Sequence, residues 1–226
     1  MRVLTARLKT FARNVLTPRK QMQSIFAPFY TEKRWGGGET VSGPGSTLER
    51  TVKLRSELPI LLEEIGARTL LDAPCGDFNW MKHTRLSLKQ CLDQYWGVDV
   101  VPELIARNQS LYGNDRTRFL LLDLTRDELP RVDVILCRDC FIHFSDRHIA
   151  AAIKNFKRSR STYLLTNTYP DWRRNENIRT GDFRHLNLLL PPFNFPSPLR
   201  QIEEKSPEER TQFFGKTLAL WELADL

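Results

Sequence analysis

An apolar run that ends in an acidic residue and a tight turn is the most constraining feature of this chain. It reads Leu-Leu-Asp-Ala-Pro-Cys-Gly-Asp-Phe over residues 70–78. A strand followed by a glycine-bearing turn and a helix is typical of the first unit of a nucleotide-binding α/β sheet. A second run, Tyr-Trp-Gly-Val-Asp-Val over 95–100, ends in Asp99. This acidic residue follows the turn by about 20 positions, where a carboxylate suits the two hydroxyls of a ribose.

Together the two segments resemble the class I S-adenosylmethionine (SAM)-dependent methyltransferases, and in particular a bacterial subgroup with an Asp-x-Pro-Cys-Gly first motif. Of the three glycines in the usual first motif, Glu/Asp-x-Gly-x-Gly-x-Gly, this chain keeps only Gly76, and Pro74 and Asp77 flank the retained turn. A dinucleotide pyrophosphate needs bare backbone N–H groups at a helix N-terminus, whereas Pro74 supplies none and Asp77 adds a repelling charge. SAM carries no phosphate and its amino group is cationic, so the motif favours SAM over NAD as the cofactor.

The rest of the chain alternates between strand and helix patterns, as in a parallel sheet covered by helices. The resemblance implies a Rossmann-like class I methyltransferase fold, an α/β fold with a seven-stranded, mostly parallel sheet, helices on both faces and an antiparallel C-terminal hairpin. We predict strands over 69–72, 95–99, 118–122, 132–137, 162–166, 199–203 and 216–222. Helices are predicted over 21–31, over 48–65 with a cap at Ser46 or Thr47, over 102–111, and from a cap at Asp146 to 157. A polar and aromatic loop spans 167–198.

Charge is concentrated at the N-terminus. Residues 1–34 hold eight basic side chains and one acidic side chain, which accounts for the whole formal net charge of +7. Apolar residues near a helical period over 2–16 predict a basic amphipathic helix that ends before Pro18. The expected domains are an N-terminal basic helical arm and lid loop over 1–46 and a methyltransferase domain over 47–226. The first helix can pack on the domain, bind a membrane surface or a polyanion, or serve as a transit peptide.

The N-terminal residues also indicate the cellular compartment of the protein. Basic residues interrupt the apolar N-terminus, which is unlike a secretory signal peptide, and no apolar run approaches a membrane span. The four cysteines, Cys75, Cys91, Cys137 and Cys140, lack the spacing of a secreted disulfide framework. We therefore expect a cytoplasmic protein, with peripheral membrane attachment through the first helix as an alternative. Cys137-Arg-Asp-Cys140 is formally C-x-x-C, but without a second pair we predict no metal site.

Ligands of open α/β sheets bind beyond the carboxyl ends of the strands, so the strand ends predict the site. The resemblance implies that Asp72 holds the amino end of SAM, Asp99 the ribose and Asp123 the adenine amino group. Arg55 is expected to pair with the SAM carboxylate or to lie on a solvated helix face. The predicted cofactor set is Trp35, Ser42, Gly43, Ser46, Arg55, Asp72, Ala73, Pro74, Cys75, Gly76, Asp77, Asp99, Val100, Asp123, Leu124 and Arg138.

The segment from Cys137 to Phe144 follows the fourth strand, where the family places residues beside the transferred methyl group. Asp139 and His143 are the candidate catalytic bases, because an O–H or N–H acceptor must lose a proton. The arginines and aromatic residues of the 167–198 loop favour an anionic or hydroxyl-rich acceptor. The predicted acceptor-binding residues are Tyr30, Asn167, Trp172, Arg184, Asn187 and Phe193.

The sequence therefore predicts a SAM-dependent methyltransferase that acts on an O or N atom of a small polar acceptor, a sugar or another metabolite, and releases S-adenosylhomocysteine. Two alternatives stay open. One is an RNA or protein methyltransferase that uses the basic arm as an electrostatic tether, although the neutral remainder of the chain weighs against it. The other is a non-enzymatic SAM-binding interaction protein. The sequence does not specify the oligomeric state.

Overall fold

One sheet organises the part of the chain that this computed structural model describes, residues 18–84, 91–204 and 215–226. Its seven strands are β1 (Thr69–Asp72), β2 (Gln94–Asp99), β3 (Thr117–Leu121), β4 (Val134–Cys137), β5 (Tyr163–Thr168), β6 (Arg200–Glu203) and β7 (Thr217–Glu222). Their order across the sheet is β3-β2-β1-β4-β5-β7-β6. Only β7 runs antiparallel to its neighbours, β5 and β6. The predicted class I methyltransferase topology is confirmed, while the predicted helix over 2–16 lies outside the described residues.

Four longer helices of the described part of the chain accompany the sheet, two before β1 and two in the crossover connections between strands. These are α1 (Pro18–Thr31), α2 (Val52–Glu64), α3 (Pro102–Tyr112) and α4 (Asp146–Arg158). Pro102 occupies the first turn of α3, where its missing N–H is not needed. Ser145, and not Asp146 as predicted, holds the N-cap position of α4. Asp146 lies in the first turn, where a negative charge suits the helix N-terminus. In the described ranges, no helix is long and apolar enough to span a membrane.

Helix α2 begins later than predicted. The cap was expected at Ser46 or Thr47, but Pro44–Ser46 form a 3₁₀ turn instead. Thr47 then has an extended backbone, which ends the turn, and Thr51 holds the N-cap position of α2. As a result, the glycine-rich segment before α2 forms a loop that can lie against the turn after β1.

Both faces of the sheet are buried, which explains why the central strands read as nearly continuous apolar runs. Successive side chains of a strand point to opposite faces, so neighbouring leucines of β1 belong to different cores. Burying each such side chain contributes about 1.5–3 kcal/mol. One core contains Leu71, Val98, Ile135 and Leu164, and the other contains Leu70, Val134, Leu136 and Leu165. These two cores fix the strand ends that carry the candidate site.

Candidate functional site

The carboxyl ends of β1, β2 and β4 open into a cavity of about 1050 Å³, counted with its open mouth. Helix α1 and the loop over 35–46 supply the opposite wall. Most of the predicted cofactor set lines this cavity, namely Trp35, Ser42, Ser46, Asp72, Pro74, Cys75, Gly76, Asp77, Asp99, Val100, Asp123, Leu124 and Arg138. Gly43 and Ala73 are not part of the lining. Arg55 is not part of it either, because its guanidinium turns to the backbone carbonyl of Leu48 at 3.0 Å.

Asp72 ends β1 and is 3% exposed. Its Oδ2 accepts a hydrogen bond of 2.6 Å from the Tyr95 hydroxyl. Burial raises the pKa of Asp72 to about 7, and the Tyr95 hydrogen bond opposes part of that rise. A positive charge placed beside such a carboxyl group would stabilise its ionised form. Asp72 therefore suits a ligand with a cationic group.

Asp99 ends β2 with its carboxylate fixed by the following backbone. Its Oδ1 accepts from the N–H groups of Val100 and Val101, at 2.7 and 3.1 Å. Burial raises the pKa of Asp99 to about 6, and these backbone hydrogen bonds limit the increase. A carboxylate held rigidly at the cavity wall can accept hydrogen bonds from a pair of ligand hydroxyls.

Asp123 follows β3, and only one of its two carboxylate oxygens is hydrogen-bonded within the protein. Its Oδ1 accepts from the backbone N–H and the hydroxyl of Thr125, at 2.9 and 2.6 Å. Its Oδ2 is buried and has no hydrogen-bond partner. A buried acceptor without a partner carries a desolvation penalty of about 1–3 kcal/mol, which a ligand donor such as an adenine amino group would remove. The residues at the three strand ends thus fit the amino, ribose and adenine parts of SAM.

Asp77 lines the cavity and also holds the loop over 40–42. Its Oδ2 accepts from the Thr40 hydroxyl at 2.8 Å and the Val41 N–H at 2.9 Å, and its Oδ1 accepts from the Ser42 hydroxyl at 3.0 Å. Gly76 has a φ of 53°, and a Cβ there would overlap the Ser42 hydroxyl. Asp77 is therefore not a free repelling charge, because three donors of the 40–42 loop compensate it. Asp77 and Gly76 pin this loop onto the first motif.

Four charged side chains, from 4% to 21% exposed, form an ionic group at the cavity, here called the floor cluster: Arg138, Asp139, Glu204 and Lys216. Arg138 lies 2.6 Å from Glu204 Oε2 and 3.1 Å from Asp139 Oδ2, and Lys216 lies 2.7 Å from Asp139 Oδ1. Burial alone would raise the pKa of Asp139, but the charges of Arg138 and Lys216 outweigh it and hold the pKa well below its usual range. Such a carboxylate accepts protons poorly, so Asp139 does not suit the predicted role of base.

The floor cluster also holds the loop over 43–46. Arg138 donates to the carbonyl of Gly45 at 2.8 Å, and a Cβ at Gly45 would lie 2.7 Å from Asp139 Oδ2. Only glycine allows this approach. The Ser46 carbonyl accepts from the side chain of Asn79 at 3.0 Å. The 40–46 segment is thus tied to both the first motif and the end of β4.

His143 is the better-placed proton acceptor. Its Nδ1 lies 2.9 Å from the carbonyl of Asp182. A carbonyl only accepts, so we assign the ring proton to Nδ1, which leaves the lone pair on Nε2. Burial lowers the pKa of His143 and keeps the ring neutral near pH 7. The imidazole lines the cavity, with its centroid 5.1 Å from the ring centroid of Trp35.

The long loop over 167–198 contributes no lining residue to the cavity, although its Asp182 carbonyl contacts His143. A loop of this length must satisfy its own backbone, and its polar side chains do so. Asn187 donates to the carbonyls of Pro170 and Trp172 at 3.0 and 2.9 Å, and Arg184 lies 3.1 Å from Asp146. The predicted acceptor residues were Tyr30, Asn167, Trp172, Arg184, Asn187 and Phe193, and among the described residues Tyr30 alone of this set lines the cavity.

Sequence reasoning missed a large part of the cavity wall. Glu204 follows β6 and Lys216 precedes β7, and neither residue carries a local signal of its role. The apolar residues of α1 read as ordinary helix packing. The lining residues absent from the prediction are Met22, Phe26, Val41, Asn79, Trp80, Val101, Leu104, Leu122, Cys140 and Phe144.

The C-x-x-C pair lies at the end of β4. Cys137 and Cys140 are both buried, and neither is in a disulfide. Burial raises the pKa of the Cys140 thiol well above its ordinary value. Within the described ranges, no three His, Cys, Asp or Glu side chains are arranged to hold a metal ion.

Solved structures share this fold. A magnesium protoporphyrin IX methyltransferase from Synechocystis with bound SAH is 13% identical, with a TM-score of 0.58 over 90% of this chain and 98% of that one. A 1,6-didemethyltoxoflavin-N1-methyltransferase from Burkholderia thailandensis is 15% identical, with a TM-score of 0.58 over 91% and 90%. A SAM-dependent methyltransferase from Leishmania major is 15% identical, with a TM-score of 0.59 over 87% and 86%. No protein-family model matches the chain, and the comparison with curated proteins gives no match. At these identities the likeness establishes the class I methyltransferase fold.

Proposed function

We propose that the protein is a SAM-dependent methyltransferase that acts on an O or N atom of a small acceptor. The observation that best supports this is the row of three buried carboxyl groups, Asp72, Asp99 and Asp123, at strand ends around one cavity. Asp123 in particular keeps a buried oxygen without a partner. Solved structures of this fold that hold SAM or SAH lend further support.

Each carboxyl group has a part of the cofactor to hold. Asp72 binds the amino end, Asp99 the ribose hydroxyls and Asp123 the adenine amino group. Asp77 contributes indirectly, because it holds the 40–42 loop against the first motif. When bound, SAM supplies a methyl group on a cationic sulfur; the acceptor atom takes this carbon while the C–S electron pair stays on the sulfur.

The protein contributes position and proton transfer. Holding the reacting atoms in line converts a bimolecular reaction into one within a complex, and the buried walls keep water away. His143 Nε2 receives the proton that the acceptor O–H or N–H gives up. Asp139 stays ionised and keeps Arg138 and Lys216 neutralised under the site.

Calorimetric titration of SAM into the wild type and into Asp99→Ala tests the proposal. Loss of the ribose contacts is expected to weaken binding by about 1–3 kcal/mol. Asp93→Ala is the matched control, because Asp93 is exposed at the start of β2 and pairs with Arg68. Its affinity for SAM should equal that of the wild type. Failure of the wild type to bind SAM would refute the proposal, whereas SAM binding without a methylated product from any acceptor would favour the SAM-binding interaction protein.

The cavity also bears on the RNA alternative. Among the described residues, its charged lining consists of one arginine and five carboxyl groups, a balance that disfavours a polyanionic acceptor. The tether and peripheral membrane roles of the arm stay predictions, since residues 1–17 lie outside the described ranges. Deleting residues 1–20 separates the alternatives: a large loss of turnover on RNA supports the tether, and unchanged turnover on a small acceptor supports our proposal.

A further inference from the structure

Aromatic side chains and one imidazole form one side of the cavity. We call this surface the aromatic wall: Phe26 and Tyr30 of α1, Trp35, His143 and Phe144, all of which line the cavity. Ring centroids are 5.8 Å apart for Phe26 and Phe144, 6.3 Å for Phe26 and Trp35, and 5.1 Å for Trp35 and His143. These contacts make a nearly continuous surface that ends at the imidazole assigned as the base.

The indole of Trp35 is held in place without a ligand. Phe29 stacks on it at 4.4 Å between centroids and 26° between planes. Gly43, with a φ of 92°, packs beside the same residue, since a Cβ there would lie 3.4 Å from Trp35 Cβ. The ring is therefore preorganised, and a ligand that stacks on it does not need to order it first.

The charges around the cavity limit what can lie beside this wall. Arg138 is the cation among the described lining residues, and it is already paired with Asp139 and Glu204. An acceptor carboxylate or phosphate would find no unpaired cation there and would be desolvated near like charges, which is unfavourable. The lining carboxyl groups are Asp72, Asp77, Asp99, Asp123 and Asp139.

We infer that the acceptor is a neutral or cationic molecule with a planar aromatic ring that carries the hydroxyl or amine to be methylated. This inference rests on the proposed function and names its substrate class. The acceptor ring packs on the aromatic wall and directs its O–H or N–H at His143 Nε2. Aromatic pairs contribute about 0.5–1.5 kcal/mol beyond the area they bury, enough to orient a small ring. Trp35 is then an acceptor-binding residue, and the anionic or sugar acceptor expected from the 167–198 loop is replaced.

Saturation-transfer NMR in the presence of S-adenosylhomocysteine tests this with three probes. 2-Naphthol is the neutral aromatic probe, 2-naphthoate differs by an anionic group in place of the hydroxyl, and glucose represents sugars. We expect 2-naphthol to bind and the other two to bind at least about tenfold more weakly, a difference of about 1.4 kcal/mol. Trp35→Ala should weaken 2-naphthol binding about tenfold and leave the SAM dissociation constant unchanged.

Trp172→Ala is the matched control, because the structure places this tryptophan away from the cavity, in the 167–198 segment. It should leave 2-naphthol binding unchanged. Each of four results would overturn the inference. These are absence of 2-naphthol binding, equal binding of 2-naphthoate, preference for glucose, and an effect of Trp172→Ala in place of Trp35→Ala. A loss of SAM affinity in Trp35→Ala would overturn it as well, since it would assign the wall to the cofactor. SAM titration into the same wild-type preparation separates these results from failure of the proposed function, in which SAM itself does not bind.

Discussion

Replacing Asp72 by Asn is expected to stabilise the ligand-free protein at pH 8 and to weaken its binding of SAM. The carboxyl group lies in a buried wall, where ionisation is unfavourable unless a cation is present. Asn has the same shape, does not ionise, and still offers an oxygen to the Tyr95 hydroxyl, which bonds Asp72 at 2.6 Å. The variant therefore removes a charge that serves the ligand and opposes folding.

The magnitude follows from the pKa of Asp72, which burial raises from an ordinary 3.8 to about 7. Below the unfolded pKa both states keep the proton, and Asp72 has no effect. Between the two pKa values the unfolded state alone releases it, so the free energy of unfolding falls as the pH rises, and above the folded pKa the loss is constant. At 1.36 kcal/mol per pKa unit the loss is on the order of 4 kcal/mol at pH 8 and about 2 kcal/mol at pH 5. Asp72→Asn should recover these amounts.

Urea denaturation without SAM at both pH values measures the effect. Asp133→Asn is the control with the opposite sign. Hydrogen bonds from Thr69 and the Arg68 N–H lower the pKa of Asp133 despite its partial burial, so its removal should destabilise the protein at both pH values. A loss of stability in Asp72→Asn at pH 8, or a gain that does not shrink at pH 5, would refute the reasoning.

Three further outcomes are expected. SAM affinity should fall at least about tenfold from pH 7.5 to 5.5 as Asp72 takes up a proton, and calorimetry should show a flatter profile for Asp72→Asn; equal profiles would contradict the role of Asp72. Asp77→Ala should weaken SAM binding and speed proteolysis within 35–46, with Asp77→Asn intermediate, because the 40–42 loop loses its acceptor; unchanged proteolysis would count against the pinning. His143→Gln should lower kcat about 100-fold or more without changing the SAM dissociation constant, and an unaffected kcat would exclude it as the base.

The sheet could be predicted closely because its strands are buried runs with local signals. β1 (Thr69–Asp72) coincides with the predicted strand, and β7 (Thr217–Glu222) begins one residue later than predicted. The start of α2 could not be predicted in the same way. A candidate cap such as Thr47 is plausible in sequence, but the preceding 3₁₀ turn depends on contacts that the folded loop makes with the first motif.

The same distinction applies to the site: residues with a local sequence signal could be predicted, and residues placed by tertiary contacts could not. Asp72, Gly76 and Asp99 were expected at the cavity because the carboxyl ends of parallel strands meet at one edge of a sheet. Apart from Tyr30, the predicted acceptor residues do not line the cavity. Polar residues in a long loop resemble ligand contacts in sequence until their internal hydrogen bonds are known. Phe26 of α1 shows the converse: an apolar residue with helical periodicity gives no sign in sequence that it faces a cavity.

The floor cluster has a consequence for how the protein is made. It joins Arg138 and Asp139, after β4, to Glu204, after β6, and Lys216, before β7. Strand β7 is inserted between β5 and β6, so a chain emerging from the ribosome has produced every residue of the first motif long before the floor can close. Strand β6 pairs with β7 among the described strands, so until β7 is in place no neighbouring strand holds Glu204 beside Arg138. The strands that lead to Asp72, Asp99 and Asp123 are therefore synthesised before Glu204 and Lys216 can complete the floor cluster.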